Sequence, residues 1–230
     1  MTSIVPRIFN PVLCHQRRSG YAVVLLFMFA FCAYCSSAAE VQVKVTDRDS
    51  KPVEGVVVTI SDDRMRAVGE SRKWIMDQVN LRFVPQVLVV PTGAVVDFPN
   101  SDTVSHQVYS FSKTKPFQLP LYKGKFHPPI TFDKPGLVVL GCNIHDEMIG
   151  YIYVTSARWF GRTSDQGMFT AEDVASDKVT VTIWSPYIAD AEKLLTRTVE
   201  VRDHAVVEFK LGKSLRNAPE PRPRNPEWDY

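Results

Sequence analysis

Apolar and polar residues alternate with a period of two along most of the chain beyond residue 40. Val41-Gln42-Val43-Lys44-Val45 is the first such run; the stretch from Gly55 to Ile60 reads as a second strand because it is rich in Val, with a turn predicted over Asp47 to Pro52. Strand signals return at Leu81 and Phe83, from Val87 to Val90, from Ala94 to Phe98 past a Pro91-Thr92-Gly93 turn, and from Val104 to Phe111. Ile130 to Phe132, Leu137 to Leu140, Tyr151 to Val154 and Val179 to Trp184 read as further strands, and Thr198 to Leu211 as a closing hairpin or strand pair. Residues 61–73 read as a charged loop, Pro99-Asn100-Ser101-Asp102 as a break, 112–130 as a long loop and 157–178 as a polar connection. Ala189 to Leu195 fits one short helix. The Pro-rich run after Gly212 cannot pack a core and is expected to be a disordered tail over 213–230. Many short strands between turn signals predict an all-β sandwich or barrel.

Composition changes this picture in two places. At 230 residues and 45% hydrophobic, the chain can bury one large core or two small ones. Its net charge of +2 and the lack of any basic block in its body argue against a nucleic-acid partner. The second place is the start. Arg17 and Arg18 precede an uncharged run from Tyr21 to Ala33, and Ser37-Ala38-Ala39 offers small residues for cleavage. That is the plan of a secretory signal peptide over residues 1–39, leading to the periplasm. A retained anchor is the alternative, although the run is short against the roughly 20 residues of a spanning helix. No membrane span is expected once it is removed. Cleavage takes away Arg7, Arg17 and Arg18 but no acid, so the net charge passes from +2 to −1. Cys14, Cys32 and Cys35 go too, which leaves Cys142 alone. A single thiol in an oxidising compartment makes no internal disulfide, so it must be buried or held by a metal.

The surroundings of that thiol carry the chemistry. Cys142-Asn143-Ile144-His145-Asp146-Glu147-Met148 sets a thiolate, an imidazole and a thioether within seven residues, and His106 heads another predicted strand. Two His and a Cys in a trigonal set, with a weak axial Met, are the ligands of mononuclear electron-transfer copper. The soft thiolate suits Cu(I), the imidazoles serve both oxidation states, and a long thioether contact keeps the two geometries alike. Each residue alone has a plainer reading, as an inert buried thiol, a strand histidine or a core methionine; their joint spacing favours metal. Zinc needs a fourth firm ligand and Met is a poor one. A Cys–His nucleophile would need an orienting group and an oxyanion hole. One Cys excludes a dinuclear two-thiolate centre. His127 and His204 are read as exposed loop or turn residues, and Tyr151, Tyr153 and Trp184 as core or sheet-face residues.

Residues 75–155 resemble the cupredoxins, the plastocyanin- and amicyanin-like blue copper proteins. Phe83-Val84-Pro85 before Val87 to Val90 and Gly93, then Asn100 followed by His106-Gln107-Val108, Pro135-Gly136, Cys-x-x-His-x-x-Met and the strand from Met148 to Val154 carry the likeness. The whole chain is similar to exported bacterial proteins of a methylamine-utilisation-like group. The resemblance implies a cupredoxin Greek-key β-sandwich over 74–156. It implies one copper ion cycling between Cu(I) and Cu(II), held by His106, Cys142, His145 and Met148, with His145 nearest solvent. Gln107, Asn143 and Gly141 depart from the family's usual residues. Asp146 and Glu147 are unusual in such a loop; as ionised carboxylates near copper they are expected to lower its potential. Asp47-x-x-x-Lys51-Pro52-Val53-Glu54-Gly55, with Asp165-Gln166-Gly167 and the strand from Val179, resembles carboxypeptidase-regulatory, transthyretin-like domains. That likeness implies a second small β-sandwich, discontinuous over 40–62 and 157–212. The expected function is a monomeric, non-enzymatic periplasmic electron carrier that exchanges electrons with a redox protein such as a cytochrome or dehydrogenase. Copper storage or delivery by the same ligands is the alternative.

Overall fold

A computed structural model describes residues 39–62, 72–124, 128–188 and 194–212, and among them there are strands and no helix. The first stretch holds β1 (Ala39–Thr46) and β2 (Val57–Ser61). The middle of the chain holds β3 (Trp74–Ile75), β4 (Asp77–Gln78), β5 (Phe83–Val84), β6 (Val87–Pro91), β7 (Ala94–Asp97), β8 (Val108–Ser110), β9 (Phe117–Gln118), β10 (Ile130–Phe132), β11 (Gly136–Cys142) and β12 (His145–Thr155). The last part holds β13 (Trp159–Arg162), β14 (Met168–Val174), β15 (Lys178–Trp184), β16 (Leu195–Glu200) and β17 (His204–Lys210). Residues 1–38 of the expected signal segment, the tail and His127 lie outside the described residues, while the segment's last residue, Ala39, opens β1; residues 189–193 of the expected helix also lie outside, and its last residue, Leu195, opens β16.

The all-β expectation holds, and the strands form two sandwiches. In one, the sheet β14-β1-β17 faces the sheet β13-β2-β15-β16. Both feed one apolar core, from Val41, Val43 and Val45 of β1 to Ile60, Val181, Ile183, Val207 and Phe209. In β1 the burial alternates strictly, as a strand with one face on a core must. In the other, the five-stranded sheet β6-β12-β11-β8-β9 faces β10-β7-β3. Phe83, Val96, Phe132, Leu140, Cys142, Met148 and Ile152 share its core. Strands from 39–61 pair only with strands from 159–210 among the described residues. A third cluster joins the sandwiches: Val57 and Trp184 pack with Val87 and Val89, and the Trp184 ring lies 5.6 Å from Tyr151 and 5.7 Å from Tyr153.

Four sequence expectations change. The long loop over 112–130 contains β9, which pairs with β8. The polar connection over 157–178 contains β13 and β14. Its alternation is hidden by a bulge: Ala39 faces Val174 but Val41 faces Ala171, so β14 carries an extra residue there, and Asp173 turns to φ 56°. The strand pair after Thr198 is no hairpin, because β16 pairs antiparallel with β15 while β17 runs parallel beside β1, where Val207 and Phe209 complete the core. The strand expected from Val104 to Phe111 shortens to β8, because the chain before it leaves the sheet to form the site described next.

Candidate metal centre

Cys142 ends β11 and His145 opens β12, joined by the two-residue turn Asn143-Ile144. Cys142 pairs with His145, yet Gly141 already pairs with Ile149, so three residues of β12 bulge out of the ladder. The bulge leaves Asp146 and Glu147 exposed and returns Met148 to the core, where it is 1% exposed. Gly141 is explained by its neighbour: a Cβ there would meet Cζ of Tyr109 at 2.6 Å, so the Tyr109 ring of β8 fills the space that a side chain at 141 would take. At Gly150 a Cβ would meet Phe83 at 2.8 Å, which keeps that aromatic against β12.

His106 comes from outside the sheet. Its N–H donates to the Tyr122 carbonyl and its own carbonyl accepts from Tyr122 N–H, at 3.0 and 2.9 Å. Asn100 ties the loop before it, donating through Nδ2 to the carbonyls of Val104 and Tyr122, each at 2.9 Å, and accepting the Asp102 N–H at 3.0 Å. Tyr122 hydroxyl donates to the Phe98 carbonyl at 2.6 Å and accepts from Gln78. Burial pushes the Tyr122 phenol up to about 12.

These supports converge three donor atoms. His106 Nδ1 and His145 Nδ1 lie 3.1 Å apart, and Cys142 Sγ lies 3.8 Å from the first and 3.5 Å from the second. The centre of that triangle is roughly 2 Å from each corner, the length of a bond from a first-row metal to nitrogen and close to that to sulfur. Among the described residues this is the one group of three His, Cys, Asp or Glu side chains placed to hold a metal ion. His106 is fully buried and Cys142 is 3% exposed, while His145 is half-buried and follows the exposed Ile144. Two imidazoles and a thiol around a metal-sized gap fit copper, with the Met148 side chain buried in the same core cluster as Cys142. Of the other histidines, His204 is half exposed and pairs with Glu40 at 3.4 Å on the surface.

Sequence reasoning missed Asp102. Its Oδ2 lies 3.1 Å from His106 Nε2, with the two side chains 1% and 0% exposed. Burial alone would raise its pKa, but hydrogen bonds from the Leu81 and Thr103 N–H groups and from His106 hold the carboxyl below its ordinary value. The residue was hidden inside a Pro-Asn-Ser-Asp break, where Asp ordinarily serves a turn. Its position four residues before a candidate ligand was the available signal.

The fold and this cluster define an all-β protein in which three donor atoms converge where they could hold a metal ion. No protein-family model matches the chain, and no curated protein matches it. Solved structures do. One is a copper-containing nitrite reductase from Thermus scotoductus SA-01, 31% identical with a TM-score of 0.36, over 39% of this chain and 25% of that one. This chain therefore spans about a quarter of that enzyme's length. A purple cupredoxin from Nitrosopumilus maritimus is 22% identical with a TM-score of 0.32, over 37% of this chain and 100% of the other. The reduced Cu(I) form of an amicyanin variant at pH 4 is 21% identical with a TM-score of 0.34, over 43% and 98%.

Proposed function

We propose that the chain is an exported mononuclear copper protein that carries single electrons. The observation that supports it is the triangle of His106 Nδ1, His145 Nδ1 and Cys142 Sγ, whose size suits one first-row ion. In this reading Met148 would be the fourth ligand. A bound copper ion supplies one-electron exchange between Cu(I) and Cu(II). The chain's own contribution is to fix the donors. A buried His106 and Cys142 on braced elements cannot follow the different geometries the two oxidation states prefer, which keeps rearrangement small. The leader over residues 1–39 directs the protein to the periplasm, where Cys142 has no other Cys beyond that leader to pair with.

His145 is the least buried of the four proposed ligands; Ile144 precedes it and Ile149 follows four residues later, 48% and 41% exposed. An apolar patch of this size suits a brief contact with a redox protein such as a cytochrome, and Asp146 and Glu147 at its rim favour a partner with a positive face. The discontinuous module over 40–62 and 157–212 supports the copper module over 74–156 through the Trp184 seam.

The test is a visible spectrum. Adding Cu(II) to the protein cleaved after residue 39 is expected to give an intense thiolate-to-copper charge-transfer band, and stopped-flow mixing with a reduced periplasmic cytochrome is expected to bleach it. A colourless protein overturns the copper reading. A coloured protein that exchanges no electrons overturns the carrier role and favours storage or delivery.

A further inference from the structure

We propose that Asp102 is a positioning residue that makes the centre favour Cu(II): its buried carboxylate locks the His106 ring and sets a second negative charge, besides the Cys142 thiolate, one imidazole away from the ion. The inference rests on the copper reading and deepens it.

The contact has a direction. A carboxylate only accepts hydrogen bonds, so the 3.1 Å approach of Asp102 Oδ2 to His106 Nε2 requires the proton on Nε2. Nδ1 then keeps its lone pair, and that is the atom facing Cys142 Sγ and His145 Nδ1. With both side chains out of water, neither ring nor carboxylate has a competing solvent partner for this contact.

The chain also builds a cradle for the anion. Leu81 N–H donates to Oδ2 and Thr103 N–H to Oδ1, both at 2.7 Å. The Leu81 donor is aimed by the tight turn from Val79 to Arg82, in which Asn80 and Leu81 stand at φ 52° and 60°. Leucine in the left-handed region is unfavourable and persists where the surroundings hold it. Here the turn delivers an N–H to a buried carboxylate. Asn100 fixes the Asp102 backbone through the 3.0 Å bond already described. Three elements distant in sequence (79–82, 100–103 and His106) thus agree on one ionised, immobile carboxylate.

Its consequence for the metal is electrostatic. Cu(II) carries one more positive charge than Cu(I), so a fixed anion in a water-poor site stabilises the oxidised ion more. Asp146 and Glu147 are exposed, and water and salt screen them. Asp102 therefore acts on the two oxidation states unequally through its charge, and a variant that removes the charge but keeps the acceptor isolates that effect from the fit of the ring.

Two variants separate the roles. Asp102→Asn removes the charge but keeps an acceptor; Asp102→Ala removes both. Competition with chelators gives the affinity for each ion, and potentiometry gives the potential. In Asp102→Asn the Cu(II) affinity is expected to fall about 10- to 100-fold, with Cu(I) affinity changed much less. Each tenfold difference between them raises the one-electron potential by about 59 mV. In Asp102→Ala both affinities fall and the charge-transfer band shifts as His106 turns. Equal losses for the two ions in Asp102→Asn overturn the electrostatic proposal. Nitrogen-15 NMR of the metal-free native protein needs no variant and is expected to show His106 as the Nε2–H tautomer. The Nδ1–H tautomer there overturns the positioning role. A native protein that takes up neither copper ion overturns the metal reading and the electrostatic claim with it, and the tautomer still decides the Asp102 contact separately.

Discussion

The two sandwiches bury very different polar groups. Among the described residues, the polar groups the flanking one encloses are all hydroxyls: Thr59, Thr163, Ser176 and Ser185. The other encloses an amide pair, a carboxylate and an imidazole in Gln78, Asn100, Asp102 and His106, besides Ser110 and Thr155. A buried hydroxyl is satisfied by a donor and an acceptor of the backbone, as Thr163 shows by donating to the Val53 carbonyl at 2.7 Å and accepting from Val56 N–H at 3.0 Å. A carboxylate and an imidazole need more, and they stay buried only inside a network that answers every charge. The flanking sandwich is therefore built for stability. The other gives up regular strands, with two-residue β3, β4, β5 and β9, to hold a polar site. The difference teaches where function sits before any ligand is considered.

The largest effects should cross that divide cleanly. Cys142→Ser is expected to abolish the charge-transfer band and copper uptake at neutral pH while leaving the thermal transition of the metal-free protein within a few degrees, since the change is nearly isosteric. Ile60→Ala, fully buried in the flanking core, is expected to cost about 2–5 kcal/mol of stability and leave the band of the folded, copper-loaded protein unchanged. Absorption spectra and denaturant titrations on both variants check the pair. A band lost in Ile60→Ala would show that the two regions are one functional unit.

A smaller contrast compares one buried hydroxyl from each region. Thr163→Val and Tyr122→Phe each leave backbone groups without a partner and are expected to cost about 1–3 kcal/mol. They differ in alkali. The Tyr122 phenol is held up at about 12 in the folded protein, so above the ordinary value near 10 the unfolded chain loses its proton first. Stability is then fully present below pH 10 and falls between pH 10 and about 12. Tyr151, Tyr153 and Tyr187 are raised by burial as well and add to the same slope. Tyr122→Phe should flatten part of it, and Thr163→Val should leave it as it was. Urea melts from pH 9 to 12 read this directly.

What the sequence disclosed follows the same division. The flanking core was legible in β1, which alternates without interruption, and in β2, a Val-rich run whose first four residues are all buried. It was illegible at β14, because the bulge at Asp173 shifts the period and an eye for strict alternation reads a loop. The partnership of β17 with β1 was hidden because parallel pairing between the ends of a chain leaves no local signal. At the site, Cys142, His145 and Met148 announced themselves through short spacing on one loop, and His106 through its place before a strand. Asp102 did not, because its role is made by contacts with Leu81 and His106 that only the fold brings together. The sequence pointed instead at Asp146 and Glu147 as the carboxylates that would act on a metal, and the structure puts both on the outside of the β12 bulge.

That exchange of roles yields the smallest expected effect. Neutralising the loop with Asp146→Asn and Glu147→Gln together removes two charges, yet at physiological ionic strength the screening length is only about 8 Å and water surrounds both groups. The potential is expected to move upward, and by less than in Asp102→Asn, which removes a single charge from a site where its side chain is 1% exposed. The same double variant should slow electron exchange with a cationic cytochrome several-fold at low salt and lose that difference as salt is added, since rim charges steer encounter more than they hold a complex. Potentiometry and stopped-flow mixing across a salt series separate the two. If the exposed pair shifted the potential more than Asp102 does, burial would not be what gives a carboxylate its hold on this centre.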